Sequence, residues 1–236
     1  MDYFDLFLIF HFTVCIPSIL FFIHFQDSQL SKSYKLDLQK DGIQKVNSTI
    51  SALNILPKDY YFLPYRYEIF GDGVSTYHRD VTSSPYVFQT KHPVYTLIQY
   101  NYKGQHISAC LGSHHQTPFL LSPPSTISGN KGDYYLFHCD LVHAGAPNHM
   151  GKQRHIIQYK LCHKDDETSL QHLYGINLSK TYNTNESNWF MYLKRQISIH
   201  FCFLFNHVFT QHLQNNNTCL SFFQPLIGNY YYNKED

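Results

Sequence analysis

Short runs of alternating apolar and polar residues fill the middle of the chain. From Tyr67 to Cys162 these runs are separated by clusters of Gly, Pro, Asn and Ser, and no long run with helical periodicity intervenes. Short runs bounded by turn residues are typical of strands, and many of them in succession predict a β-sandwich or barrel. The fold class expected from this pattern is therefore mainly β.

The segments just before this region have a different pattern. Residues 27–56 are polar overall, but four apolar residues recur there at helical spacing: Ile43, Val46, Ile50 and Leu53. This spacing predicts a helix that places one apolar stripe against the core. Residues 60–67 are aromatic and interrupted by Pro64, which predicts a loop and an edge strand close to a functional site.

The most apolar segment lies near the start of the chain. Phe7 to Phe25 is a run of 19 residues without Asp, Glu, Lys or Arg. At about 1.5 Å per residue, such a helix would almost span a hydrocarbon core of roughly 30 Å. The run predicts a transmembrane helix that anchors the protein; a buried or interfacial helix is the alternative, because His, Thr, Pro and Ser interrupt it. More lysines follow the run than precede it, so an anchored catalytic domain would face the cytosol, and without the anchor the protein would be cytoplasmic.

Length and composition limit the further organisation. The 236 residues suit one domain with appended segments, and we expect boundaries at 1–26 for the anchor, 27–163 for the β domain and 164–236 for an extension. The extension should be helical or irregular and pack on the domain, because its apolar run at 197–209 is too short to cross a bilayer. The net charge of +1 indicates no extended nucleic-acid surface. The six cysteines form no C-x-x-C pair and predict free thiols.

Three residues suggest a metal centre. His78 and Asp80 are two positions apart, and on a strand such side chains point to the same face. His143, 65 residues later, would complete a set of two histidines and one carboxylate. A set of this kind that leaves coordination positions open suits non-haem Fe(II).

A basic residue distinguishes this histidine–aspartate pair from two others. His143 is followed eleven positions later by Arg154, whose planar guanidinium suits the carboxylate of a co-substrate. For the pairs His138/Asp140 and His163/Asp165, we leave aside the histidines that follow closely in the sequence. None of the more distant later histidines has a basic residue eleven positions after it. His149, with Lys160 eleven positions later, is an alternative to His143 and Arg154, although His149 follows Pro147 and Asn148, where a turn is expected.

Several short motifs occur in a fixed order around these residues. They are Leu36–Ile43, Tyr77-His78-Arg79-Asp80, Gly112-Ser113-His114, Gly132-Asp133, His143 with Pro147-Asn148, and Arg154. In this order the series resembles the phytanoyl-CoA dioxygenase-like family of Fe(II)/2-oxoglutarate oxygenases, over roughly residues 36–163. One departure is Gly145, which stands where some members of the family place a small hydroxyl residue.

The resemblance implies a fold and a reaction. The fold would be a double-stranded β-helix, related to jelly rolls and cupins, with flanking helices. His78, Asp80 and His143 would hold Fe(II), Arg154 would bind 2-oxoglutarate, and O2 would be the oxidant, with succinate and CO2 released. The substrate would be a small molecule or lipid-like; the sequence does not identify it or the oligomeric state.

Further residues are candidates for the surroundings of the site, and two other functions fit the sequence. Gln99 and Gln158 are candidates for the co-substrate pocket, and four aromatic residues are candidates for a substrate mouth, with core packing as the alternative: Tyr65, Tyr67, Phe70 and Tyr77. Arg79 should point away from its neighbours and have a structural role or lie at the pocket rim.

The alternative functions are a catalytically degenerate, membrane-anchored β-helix scaffold and a cupin-like metal enzyme that does not use 2-oxoglutarate.

Overall fold

In the computed structural model of the protein, the described residues are 28–31, 33–71, 75–83, 88–116, 122–147 and 154–182, together with the helical residues 192–193, 195–196 and 198–199. The predicted anchor at 1–26, including the apolar run 7–25, lies outside the described residues, as does almost all of the apolar run 197–209. Within the described ranges, no helix is long and apolar enough to cross a membrane.

The described chain is rich in strands, as the alternating pattern predicts. The strands are β1 (Ser28–Gln29), β2 (Ile43–Val46), β3 (Tyr60–Phe62), β4 (Tyr65–Gly71), β5 (Tyr95–Tyr100), β6 (Gly104–Cys110), β7 (Pro124–Gly129), β8 (Asp133–His138), β9 (His143–Gly145), β10 (Arg154–His163) and β11 (Ile176–Tyr182). Two helices, α1 (Leu38–Asp41) and α2 (Thr49–Ile55), precede β3. The prediction of a mainly β fold is confirmed.

These strands form two sheets. The larger sheet has the order β11-β4-β10-β5-β8-β2, with β3 paired to β10, and the smaller has the order β1-β7-β6-β9. Between β4 and β10 the chain passes repeatedly from one sheet to the other, and His78 pairs with His143 of β9 as an isolated bridge. This alternation of antiparallel strands between two sheets is the arrangement of a double-stranded β-helix, a relative of the jelly roll.

One apolar core joins the two sheets. It contains Ile98 and Phe137 from the larger sheet and Ile107 and Ile127 from the smaller. A second cluster covers the outer face of the larger sheet, where Ala52 of α2 packs with residues of β5, β8 and β10. The smaller sheet is therefore held against the larger one, and His143 lies on an edge strand of the smaller sheet.

The predicted helix with an apolar stripe is wrong in its first half. Ile43 and Val46 belong to β2, which pairs antiparallel with β8, and the helix begins only after Ser48, whose side chain caps it. Ile50 is 71% exposed and not part of a buried stripe. Ile43 and Val46 lie in two different apolar clusters, on opposite faces of β2, so their spacing reflects burial of both faces of a strand and not one face of a helix.

Two other segments differ from expectation. Of residues 60–67, the part 60–62 forms β3, which among the described residues pairs only with β10, as predicted for an edge strand, whereas residues 65–67 belong to β4, which is enclosed between β10 and β11. The segment after residue 163 is not only helical or irregular: short 3-10 turns at Lys164–Asp166 and Thr168–Leu173 lead into β11, which runs parallel to β4. The first part of the predicted extension thus continues the larger sheet.

Candidate metal centre

The structure brings together the three side chains predicted to bind metal. His78 and His143 exchange two backbone hydrogen bonds of 2.9 Å. These bonds join the segment Ser75–His78 to β9 as a narrow two-stranded ribbon, and the two histidine side chains start from adjacent positions on it. The Nε2 atom of each imidazole lies 3.8 Å from Oδ1 of Asp80. Asp80 follows the bridge in irregular backbone, not in the strand that its spacing from His78 suggests. The three ligand atoms lie within 4.8 Å of one another.

Hydrogen bonds fix how the two imidazoles present their nitrogens. Nδ1 of His78 lies 2.9 Å from the carbonyl oxygen of Thr76, and Nδ1 of His143 lies 2.9 Å from that of Leu141. A carbonyl only accepts, so each Nδ1 carries the hydrogen and each Nε2 keeps its lone pair. Both lone pairs are therefore available on the side of Asp80, as metal-binding histidines require.

The electrostatics of the site favour a neutral His143 and an ionised Asp80. Burial, together with the neighbouring His78, lowers the pKa of His143 to about 4. Burial alone would raise the pKa of Asp80, but the positive charge of Lys160 and the adjacent imidazoles hold it below its ordinary value. The donor set then comprises two imidazole nitrogens, of which that of His143 is neutral, and one carboxylate oxygen, and this set suits Fe(II).

Lys160 occupies the other oxygen of the aspartate. Its side chain is fully buried, and Nζ donates to Oδ2 of Asp80 at 2.6 Å, to Thr96 at 2.8 Å and to Ser83 at 3.2 Å. Thr96 also donates to Oδ2. Oδ1 alone is then directed at the histidines. In the alternative assignment, His149 would be the second histidine ligand and Lys160 would bind the co-substrate. The lysine part is wrong, because the ammonium group of Lys160 binds Asp80. His149 lies outside the described residues.

Arg154 lies at the first position of β10, close to the end of β9. Its guanidinium is buried and donates to the carbonyl oxygen of Ala146. A Cβ atom on Gly145 would lie 2.7 Å from Nη1, so the close approach requires glycine there. Burial raises the pKa of Tyr102 to about 12 and holds that of Tyr100 well above its ordinary value, and the charge of Arg154 opposes both shifts. The guanidinium thus lies within electrostatic range of these two phenols, and Arg154 is at the opposite end of β10 from Lys160.

The two glutamines predicted for the pocket lie on different faces. Gln158 is buried and shares the face of β10 that carries Arg154 and Lys160. Gln99 is three residues from Thr96 on β5, so it points to the face away from Asp80. The prediction that Gln99 lines the pocket is therefore wrong.

The aromatic candidates for a substrate mouth pack mainly in the protein interior. Tyr65 and Tyr67 belong to an apolar cluster under β4, and Tyr77 is buried against the segment that carries His143. Phe70 stacks on His155, on the face of β10 opposite to Arg154. Core packing, the alternative for these residues, accounts for the positions of Tyr65, Tyr67 and Tyr77, whereas Phe70 is half-buried.

Arg79 has a structural position. It is almost fully buried, and its guanidinium donates to the carbonyl oxygens of Asp140 and, at 3.0 Å, Gln116. Its side chain therefore joins the backbone at Asp140 to the backbone at Gln116, next to the three predicted metal ligands. This agrees with the structural role predicted for Arg79.

The two other histidine–aspartate pairs differ from His78 and Asp80 in their hydrogen bonds. The backbone N–H of Asp140 donates to Nδ1 of His138 at 3.1 Å, and that of Asp165 donates to Nδ1 of His163 at 3.3 Å. Each lone pair on Nδ1 is then used locally and the hydrogen is on Nε2. This difference supports His78 and Asp80 as the predicted metal-binding pair. The sequence favours the same pair, because Arg154 follows His143 by eleven positions.

Sequence reasoning misses Arg195 altogether. This residue is 1% exposed and comes from the helical segment near the C-terminus, yet its guanidinium reaches Ser75, Tyr77 and Gly145 beside the metal cluster. No motif or spacing in the sequence connects it with the site, because the contact spans up to 120 residues.

Comparison with known proteins finds solved structures of low similarity, among them a non-haem monooxygenase, ThoJ, in complex with nickel. No protein-family model and no curated protein matches the chain. Among solved structures, HygX from Streptomyces hygroscopicus, with nickel and 2-oxoglutarate bound, is 13% identical, with 54% of this chain and 84% of that chain covered and a TM-score of 0.40. SnoK, a non-haem α-ketoglutarate-dependent carbocyclase from nogalamycin biosynthesis, is 12% identical, with coverages of 58% and 87% and a TM-score of 0.38.

Another structure is matched over a smaller share of its length. EvdMO1 is 16% identical, with 49% of this chain covered and a TM-score of 0.39, and the match spans 30% of its own chain. Similarity at this level does not assign a function, and the resemblance to the phytanoyl-CoA dioxygenase-like family stays a prediction. The function of the protein has to be argued from the residues of the site.

Proposed function

We propose that the protein is an Fe(II)- and 2-oxoglutarate-dependent oxygenase. The observation that carries the proposal is the convergence of two Nε2 lone pairs, from His78 and His143, on Oδ1 of Asp80. Two imidazoles and one carboxylate suit Fe(II) and leave positions for a chelating co-substrate and O2. Bound together, Fe(II), 2-oxoglutarate and O2 supply oxidative decarboxylation to succinate and CO2, coupled to oxidation of a second substrate.

The protein side chains would orient these groups. Lys160 neutralises one oxygen of Asp80 and leaves the other for the metal. Arg154 would bind the distal carboxylate of 2-oxoglutarate, because a buried guanidinium forms strong paired hydrogen bonds with carboxylates. Arg154 donates to the carbonyl oxygen of Ala146, three residues after His143. Three residues of extended chain span roughly 10 Å. A five-carbon dicarboxylate is long enough to lie between a metal at His143 and the guanidinium of Arg154. A carboxylate at position 80 argues against halogenation, which needs a vacant position for halide.

The proposed substrate is a small molecule or lipid-like compound, and the anchor at residues 7–25 would bring the domain to a membrane surface. Both remain proposals from the sequence. Fold alone does not choose a substrate.

The direct test is turnover of the co-substrate. The full-length protein with Fe(II) and ascorbate should convert 2-oxoglutarate to succinate, slowly even without a second substrate, and His143→Ala should abolish this. Arg154→Gln should raise the 2-oxoglutarate concentration needed by about tenfold or more, since a hydrogen bond to a charged group contributes about 1.5–3 kcal/mol. His163→Ala, in a pair whose lone pair is used locally, is the matched control and should retain activity.

Each contrary result points to an alternative. Folded protein that binds metal but neither binds nor consumes 2-oxoglutarate would favour a cupin-like enzyme with another co-substrate. Folded protein that binds no metal would favour the degenerate scaffold.

A further inference from the structure

The helical residues near the C-terminus contact the ribbon that carries both histidine ligands. Nη1 of Arg195 donates to the carbonyl oxygens of Ser75 at 2.6 Å and Gly145 at 2.9 Å. In the antiparallel bridge of His78 with His143, these two residues lie on the two strands of the ribbon, close to one end of it. One guanidinium group therefore bridges both strands.

Two further contacts fix the orientation of this arginine. Nη2 donates to the hydroxyl of Tyr77 at 3.2 Å, and the guanidinium carbon lies 4.4 Å from the centre of the same ring. A cation in this position is attracted by the face of the ring. Tyr77 directly precedes His78, so the arginine contacts the ribbon within one residue of a predicted metal ligand.

The same helical turn contributes a second set of contacts. Oγ of Ser198 accepts the backbone N–H of Tyr77 at 2.7 Å and donates to the carbonyl oxygen of Arg195 at 2.6 Å. Ile199 packs in an apolar cluster with Val142 and Ala144, the two neighbours of His143. Residues three and four positions apart share a helix face, so Arg195, Ser198 and Ile199 contact the ribbon together.

We infer that Arg195 is a positioning residue for the metal centre: it holds the two strands of the ribbon at the separation at which His78 and His143 both reach Asp80. The inference rests on the proposed function, because it concerns the same centre. It also means that the centre is completed by a segment beyond the predicted domain boundary at residue 163. Loss of the hydrogen-bond partners of metal ligands typically costs about 10–100-fold in affinity. Arg195 contacts Ser75, Tyr77 and Gly145, close in sequence to the ligands, so its loss should fall at the lower end of this range.

The experiment is a titration of the full-length protein with Mn(II) alone, following free Mn(II) by electron paramagnetic resonance. Arg195→Gln should weaken Mn(II) binding by about tenfold or more, at a temperature where the variant is folded by circular dichroism. Arg195→Lys should give an intermediate loss, since one ammonium cannot reach all three acceptors. Arg66→Gln is the matched control, because the Arg66 side chain is 41% exposed and paired with Glu68, and the Mn(II) affinity of this variant should equal that of the wild type.

The outcomes separate this inference from the proposed function. Folded Arg195→Gln protein with wild-type Mn(II) affinity would overturn the inference and leave the proposed function standing. If Arg195→Gln does not fold, the comparison is made with Arg195→Lys and Ser198→Ala, and unchanged affinity in both would overturn it equally. Wild-type protein that is folded but binds no Mn(II) would overturn the proposed function, and the inference with it.

Discussion

The residue with the largest electrostatic effect in the site is Lys160. It is fully buried, and its ammonium contacts Asp80 directly. Breaking a buried ion pair from one side is costly, because the remaining charge is left in a medium of low polarity. A bound divalent cation near Oδ1 would supply part of the missing positive charge.

We therefore expect Lys160→Met to lower the free energy of unfolding of the metal-free protein by about 3–5 kcal/mol, and saturating Mn(II) to restore part of this loss. The measurement is urea unfolding with and without Mn(II). Lys45→Met is the control: its 2.6 Å pair with Asp133 is 47% exposed on the lysine side, so the loss should stay below about 1 kcal/mol. Equal losses in the two variants would contradict the proposed role of Lys160.

At the scale of elements, the site depends on how closely the end of β9 approaches the start of β10. Gly145 allows this approach, since a Cβ atom there would lie 2.7 Å from Nη1 of Arg154 and 3.0 Å from Oγ of Ser75. Both neighbours are side-chain atoms, so the chain can accommodate a methyl group only by moving them.

Gly145→Ala should therefore displace Arg154 and weaken 2-oxoglutarate binding by about tenfold, while Mn(II) affinity changes by less than about threefold, because the histidines stay in place. Calorimetric titration of each ligand separately checks this. A variant that binds 2-oxoglutarate as tightly as the wild type would show that Arg154 does not need this close approach.

The elements also show how far the sequence predicts the structure. Alternation and turn residues locate most strands, because each is a local property of the chain. The spacing of Ile43 and Val46 predicts a helix, because only their pairing with β8 makes them a strand. The proximity of His78, Asp80 and His143 is predictable from their spacing and order in the sequence, and their role as metal ligands stays a prediction. The contact of Lys160 with Asp80 joins residues 80 positions apart, and no motif in the sequence signals it.

For the molecule as a whole, buried neutral histidines make stability depend on pH. Burial lowers the pKa of His114 and His143 to about 4 and that of His138 to about 3. In the unfolded chain these groups take up protons below about pH 6.5, so the unfolded state binds more protons and stability falls on acidification. Asp140 opposes this, because burial raises its pKa to about 6, and below that pH the folded state binds its proton.

On acidification, the three histidines lower the free energy of unfolding and Asp140 raises it, so the net effect is a loss of stability. We expect the free energy of unfolding of the metal-free protein to be lower at pH 5.0 than at pH 7.5. It should fall further below about pH 4, where Asp80 takes up a proton in the unfolded chain while its lowered pKa keeps it ionised in the folded protein. Urea unfolding across this range measures it, with His138→Asn expected to reduce the slope. Equal or greater stability at pH 5.0 would contradict the assignment of neutral buried imidazoles.

The most direct test of the central claim is an anaerobic titration of the full-length protein with Fe(II) and 2-oxoglutarate, recorded by visible absorption. The three-residue centre predicts a weak charge-transfer band that requires both components, is absent in His143→Ala and persists in His163→Ala. A folded wild-type protein without the band, or a His143→Ala variant that retains it, would contradict the assignment of His78, Asp80 and His143 as the iron site.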